Sequence, residues 1–148
     1  MDSEGIVSHI YLSSKYGETS YQKNKPSSFI NRFDGHLNFN PAKLHKLSLV
    51  SMYYDKAKDI QIDLQPLLIT CNIISRSQNG IYTVPILKKV YPKNNWEQTL
   101  NGAITPEYHP IIRSYVPEIS VDIYNDNMKL VSFPEGTLYM TLEVHTEK

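Results

Sequence analysis

In Tyr115-Val116-Pro117-Glu118-Ile119-Ser120-Val121-Asp122-Ile123-Tyr124, and again in Leu138-Tyr139-Met140-Thr141-Leu142-Glu143-Val144, apolar side chains fall on every second residue. A period of two places Ile119, Val121 and Ile123 on one side of an extended chain, with Ser120, Asp122 and Tyr124 on the other. The later run repeats the pattern with Leu138, Met140, Leu142 and Val144 against Tyr139, Thr141 and Glu143. Each run reads as a strand with one buried face. Between them, Asn125-Asp126-Asn127 tolerates a left-handed turn, and Pro134-Glu135-Gly136 makes a second bend before the final strand. Two core strands joined by so long a connection, and not by a tight two-residue hairpin, suit a sandwich better than a meander.

Upstream, the chain alternates between short extended runs and turns. Ile6 to Leu12 is a first strand with Ile6, Ile10 and Leu12 on one face, and Ser13 to Ser27 has the composition of an extended loop. Ser28 to Phe33 is a second strand, which Asp34-Gly35 turns toward His36-Leu37-Asn38-Phe39. Asn40-Pro41-Ala42-Lys43-Leu44 reads as one helical turn, with Asn40 as its cap and Pro41 at the first helical position. Leu47, Leu49 and Ser51 alternate with Ser48, Val50 and Met52 in the next strand, which continues into Tyr53-Tyr54. Asp55 to Asp63 is a charged connection in which Ile60-Gln61-Ile62 forms a weak edge strand.

Leu67 to Ile74 is almost continuously apolar, as expected of a strand covered on both faces. Asn79-Gly80 is the strongest hairpin signal, and Pro85 inside the following run marks a strand edge or a bulge. Pro92 to Pro106 is irregular, and Tyr108 to Arg113 resumes extended structure. Some eight or nine short strands, with Pro and Gly between them and scarcely any helix, make an all-β sandwich or barrel.

The 148 residues suffice for one domain spanning 1–148 with a substantial core. Fifteen Lys plus Arg balance fifteen Asp plus Glu, so no net field draws nucleic acid or an anionic membrane. Lys88-Lys89 and Lys93 read as a solvated edge. Near-zero charge also lets identical copies approach one another. The single cysteine, Cys71, excludes an intrachain disulfide and reads as a small buried hydrophobe. No apolar run approaches the ~18 residues of a membrane span, the N-terminus lacks a signal-peptide pattern, and there is no Asn-x-Ser/Thr sequon. These features favour folding inside a cell.

Reactive chemistry is not visible. His9, His36, His45, His109 and His145 are scattered, with no pair spaced to aim two imidazoles at one metal. Glu118, Asp122, Asp126 and Glu135 read as turn and solvent-face residues, and Asp122-x-x-Asn125-Asp126 falls short of a calcium loop. There is no phosphate-binding glycine loop and no nucleophile elbow. The expectation is a protein without catalytic activity, cofactor or metal. Eleven tyrosines and one tryptophan, several of them in loops (Tyr16, Tyr21, Tyr91, Trp96), offer flat amphipathic rings for a sugar platform or a protein interface.

Two blocks carry a resemblance. The first comprises Ser14, then Tyr21-x-x-Asn24-x-x-Ser27-Ser28-Phe29, Leu37-x-Phe39-x-Pro41, and Leu47-x-Leu49-Val50-Ser51-Met52-Tyr53-Tyr54. The second and sharper one is Tyr115-x-Pro117, Ile119-x-Val121-x-Ile123-x-x-Asp126, and Phe133-x-x-Gly136-x-Leu138-x-Met140-x-Leu142. Together they are similar to the minor capsid, or penton, proteins of polintons, adintoviruses and polinton-like viruses.

The resemblance implies a single jelly-roll β-sandwich of about eight antiparallel strands, present in the virion as a homopentamer at the vertex of an icosahedral shell. Its neighbour there would be a double jelly-roll major capsid protein. On that reading the stretch from Tyr91 to Tyr108, including Trp96, is the expected contact between copies. A carbohydrate- or protein-binding β-sandwich module is the alternative. A metal-dependent jelly-roll enzyme drawing on His45 or His109 is the third.

Overall fold

A computed structural model describes residues 5–15, 26–56, 65–79, 81–91, 101–131, 133 and 136–147. Among them the chain is all β, with no helix. The strands are β1 (Ile6–Ser13), β2 (Ser28–Asn38), β3 (His45–Lys56), β4 (Leu67–Cys71), β5 (Ser77–Asn79), β6 (Tyr82–Val84) and β7 (Ile86–Val90). They continue with β8 (Gly102–Ala103), β9 (His109–Pro110), β10 (Tyr115–Tyr124) and β11 (Gly136–Thr146).

Antiparallel pairs nest one inside another: β1 with β11, β2 with β10, β3 with β8 and β9, and β4 with β7. Such a ribbon rolls up when its inner and outer strands also pair, as β3 does with β11 and β4 with β10. The result is one sheet in the order β1-β11-β3-β8, with β9 also on β3, and a second in the order β2-β10-β4-β7. Taking β8 and β9 as one broken strand and setting aside the β5–β6 hairpin leaves the eight strands of a single jelly roll. β10 and β11, joined by a long connection, lie in different sheets.

The core fills the space between the sheets. Val116, Ile119, Val121 and Ile123 from β10 meet Leu138, Met140, Leu142 and Val144 from β11, joined by Leu12, Phe29, Leu47, Leu49, Met52, Tyr54, Leu67 and Ile69. The first strand's inward face is Ile10 and Leu12, while Ile6 runs past the core and stays exposed.

Several local expectations are corrected. Asp34-Gly35 does not end a strand: β2 is continuous, and the irregularity is a bulge in which Leu37 pairs with Val116 and Arg32 with Glu118. Pro117, lying between those partners, has no N–H for the ladder, and Gly35 accommodates the excess chain at φ +83°. Asn40 to Leu44 is a β-turn and not a helical turn. The Asn40 side chain accepts from Ala42 N–H at 2.9 Å and its carbonyl accepts from Lys43 N–H at 3.1 Å, after which β3 begins.

In β3, alternation breaks at Val50, which is skipped in the register with β11 because Leu49 faces Leu142 and Ser51 faces Thr141. One extra residue reverses the faces, so Met52 and Tyr54 enter the core where strict alternation from Leu49 would have placed Ser51. β4 is wholly buried but stops at Cys71. Asn72 then continues the ladder with its side chain, its Oδ1 accepting from Ser120 N–H at 2.9 Å. Asn79 pairs with Tyr82, closing the hairpin that Asn79-Gly80 announced, and β7, which comes after Pro85, is an edge of the second sheet. Within the expected run from Tyr108 to Arg113, only His109–Pro110 is a strand, and Ile111 adds an isolated bridge to Ile74. Residues 60–62 lie outside the described residues.

Candidate interaction surface on the first sheet

Strand register fixes which side chains share the outer face of the first sheet. Opposite the inward pairs Ile10–Leu142 and Leu12–Met140, β1 and β11 turn the pairs Val7–His145, His9–Glu143 and Tyr11–Thr141 outward. β3 adds Ser48 beside Glu143, and beyond the Val50 bulge it adds Tyr53 beside Tyr139. Tyr11 is 73% exposed and Tyr53 53% exposed, so the β1–β11–β3 face offers large aromatic surface to solvent. The rings are arranged in pairs, Tyr53 with Tyr139 at 6.1 Å and His9 with Tyr11 at 6.4 Å between centroids.

On the β9 side this face is partly covered. The chain before β9 crosses over β3, its Ile104 N–H donating to Val50 carbonyl at 2.9 Å and its Glu107 N–H to Ser48 Oγ at 2.9 Å, which buries Ser48 completely. Tyr108 comes next and reaches past β3 to β11. Its hydroxyl donates to Glu143 Oε1 at 2.7 Å and lies 3.1 Å from His145 Nε2. His9 Nε2 contacts the other carboxylate oxygen at 3.1 Å, and His145 Nε2 bonds Glu143 Oε1.

One carboxylate thus gathers three polar side chains from three segments. The bonds from Tyr108 and His145, with a smaller contribution from His9, hold the Glu143 carboxyl below the ordinary carboxylate range against the opposing effect of burial. Burial, then the neighbouring Glu143, raises the Tyr108 phenol. The network secures the crossing segment to the sheet and leaves Tyr11 and Tyr53 free on its open side.

The residues expected at an interface occupy separate places. Tyr108 lies in this network, and Tyr91, 62% exposed, has Lys89 over its ring at 5.6 Å, where Lys89 also pairs with Asp126 at 3.3 Å. Tyr91 and Tyr108 share none of these partners. Trp96, Tyr16 and Tyr21 lie outside the described residues.

The remaining histidines hold the fold together. His45 Nδ1 is 2.8 Å from Thr146 Oγ1 and its Nε2 is 2.9 Å from Asn40 carbonyl, so both ring nitrogens are engaged. His109 Nε2 donates to Leu87 carbonyl at 2.9 Å, linking β9 of one sheet to β7 of the other. His36 packs on Tyr115 at 4.1 Å. Among the described residues no group of three or more His, Cys, Asp or Glu side chains converges to hold a metal ion, and no helix is long and apolar enough to cross a membrane. Cys71 is fully buried, and burial pushes its thiol up to about 12 despite a backbone hydrogen bond near Ile73 that acts the other way.

Sequence reasoning missed the Glu143 network. Glu143-x-His145 on one outward face was present as a signal, but His9 and Tyr108 join it only through pairing across the chain. No protein-family model, no curated protein and no solved structure matches this chain.

Proposed function

We propose that this protein is a structural subunit of a viral capsid or of a host-retained copy of one, acting through lateral contacts between identical chains as a penton-like ring. The observation that carries the reading is the open outer face of a single jelly roll, where Tyr11 and Tyr53 stand exposed on rigid paired strands while the polar side chains nearby are engaged in holding the fold. Exposed aromatic rings on a rigid sheet are the side chains enriched at interface centres, because they bury much area while losing few rotamers. Zero formal net charge adds no repulsion between copies.

The resemblance supports the same reading through residues whose roles are now physical. Pro117 sits at the β2–β10 bulge, Phe133 packs against Tyr54 at 5.5 Å, and Gly136 starts β11. In this reading the assembly is a homopentamer beside a double jelly-roll major capsid protein, and its place is the virion.

Sedimentation velocity of the purified chain tests it. A pentamer or a larger closed species is expected, weakened by a Tyr11→Ser, Tyr53→Ser double variant. A monomer at all concentrations up to the solubility limit overturns the ring. A second reading, a carbohydrate-binding sheet, is favoured by the near-parallel Tyr53–Tyr139 pair flanked by Ser51 and Thr141. A monomer whose glycan binding is lost on Tyr53→Ala would establish that reading in place of the first.

A further inference from the structure

At the end of the sandwich where β2 passes to β3 and β9 to β10, a cleft of about 210 Å³ is lined by Phe39, Pro41, Lys43, Ile111, Ile112 and Arg113, among others. Its walls are preformed. Phe39 N–H donates to Ser114 carbonyl at 2.8 Å, Ile111 N–H to His45 carbonyl at 2.9 Å and Ile112 N–H to Ile73 carbonyl at 2.9 Å. The Asn40 turn contributes Lys43 to the lining, and the chain leaving β9 contributes Arg113.

Charge is unbalanced here. Elsewhere Arg32 pairs with Glu118, Lys88 with Glu107 and Lys89 with Asp126. Lys43 and Arg113 are both exposed, neither has a carboxylate partner among the described residues, and no acidic side chain lines the cleft. His45 supplies no free nitrogen, both being engaged. Beside the cations Ile112 is 59% exposed, an apolar edge of the cleft that water covers poorly.

We propose that this cleft docks an acidic segment of a partner protein, in which carboxylates meet Lys43 and Arg113 and an interleaved apolar side chain sits on Phe39, Pro41 and Ile111. Complementarity carries the choice of occupant. A purely apolar segment leaves two cations facing nothing, and a basic segment is repelled. Because the walls are braced by backbone hydrogen bonds, the cleft needs no rearrangement to receive a chain. A single such contact is weak, since exposed ion pairs contribute little individually, and copies in a ring raise its avidity. The inference goes beyond self-assembly and stands whether the chain is a monomer or a ring.

The test uses the full chain and a fluorescein-labelled peptide alternating glutamate and leucine, carrying one photo-reactive side chain. A lysine–leucine peptide serves as the control. Expected are a rise in anisotropy with protein that falls as salt increases, cross-links confined to residues 39–44 and 111–114, and at least about tenfold weaker binding in a Lys43→Glu, Arg113→Glu double variant. Both substituted positions are exposed, and unchanged circular dichroism and sedimentation show that the variant folds and assembles as before. No binding at millimolar protein, cross-links elsewhere, or equal binding of the lysine–leucine peptide overturns the proposal.

Discussion

The carboxamide of Asn31 holds both backbone groups of Ser13: its Oδ1 accepts from the Ser13 N–H at 2.9 Å and its Nδ2 donates to the Ser13 carbonyl at 2.7 Å. Asn31 lies in β2 of the second sheet and Ser13 ends β1 of the first, so one side chain substitutes for a ladder where the chain passes between layers. The next residue completes the corner, Ser14 exchanging N–H and carbonyl bonds with Leu138 through its backbone and its hydroxyl.

Both residues are buried, so Asn31→Ala strands a donor and an acceptor away from water. The expected loss is about 2–4 kcal/mol, from the desolvation cost of two unsatisfied groups. Asn31→Asp sets an accepting carboxylate oxygen against the Ser13 carbonyl in a buried place, so it should cost at least as much as alanine at neutral pH. Urea midpoints at unchanged slope measure this, and a loss within error of zero for the alanine variant would show that the corner is held by something else.

Glu143 gives the outer face a pH dependence of known sign. Its carboxyl is held below the ordinary value of 4.5, so the stability it contributes is complete above that pH and disappears as pH falls through the lowered native value. Glu143→Gln should cost about 1 kcal/mol at neutral pH, a figure kept small by the partial exposure of the network. The difference between the two proteins should close in acid. A gap that stays constant from pH 7 to pH 3 would mean that charge plays no part.

Two glycines with positive φ separate backbone strain from crowding. Gly35, at φ +83°, has open space where a Cβ would go, so Gly35→Ala should cost about 1 kcal/mol from conformation alone. At Gly136, φ +157°, a Cβ would lie 2.7 Å from Asp55 carbonyl oxygen and 2.8 Å from the Tyr54 ring, both parts of the β3 end. Gly136→Ala should therefore cost more, roughly 2–4 kcal/mol, by strain plus displacement of Tyr54. Thermal unfolding of the two variants side by side decides the order, and equal losses would contradict the crowding at Gly136.

Cys71 reports on unfolding. With its thiol fully buried and pushed up to about 12, it should ignore a thiol reagent in native buffer and react only through global opening. Labelling rates across denaturant should then parallel the unfolding equilibrium. Rapid labelling without denaturant would show a local opening at the β4 end.

Much of the layering was legible in the sequence. Alternation identified the inward residues of β11 and those of β10 from Ile119 onward, while Val116 is buried out of phase because of the bulge at Pro117, and the continuous apolar run in β4 identified a strand covered on both faces. The candidate surface was legible only in pieces: Tyr108 stood out as an aromatic, while its partners His9, Glu143 and His145 looked like scattered polar residues. The one-turn helix at Asn40 and the turn at Gly35 were misread because the same residues serve a β-turn, a helix start or a bulge. The strands packed on either side of each segment decide among these uses.

The sequence by itself determined that this chain is built of strands, and that Ile119, Val121, Ile123, Leu138, Met140, Leu142 and Val144 must be hidden from water, because a period of two is a property of a single extended segment. Only the tertiary structure decided the Val50 bulge that turns Met52 and Tyr54 inward, the meeting of His9 and Tyr108 on Glu143, and the presence of Lys43 and Arg113 in the lining of one cleft. Those depend on register between strands far apart in the chain. Register is selected by how both sheets pack together and not by any one strand.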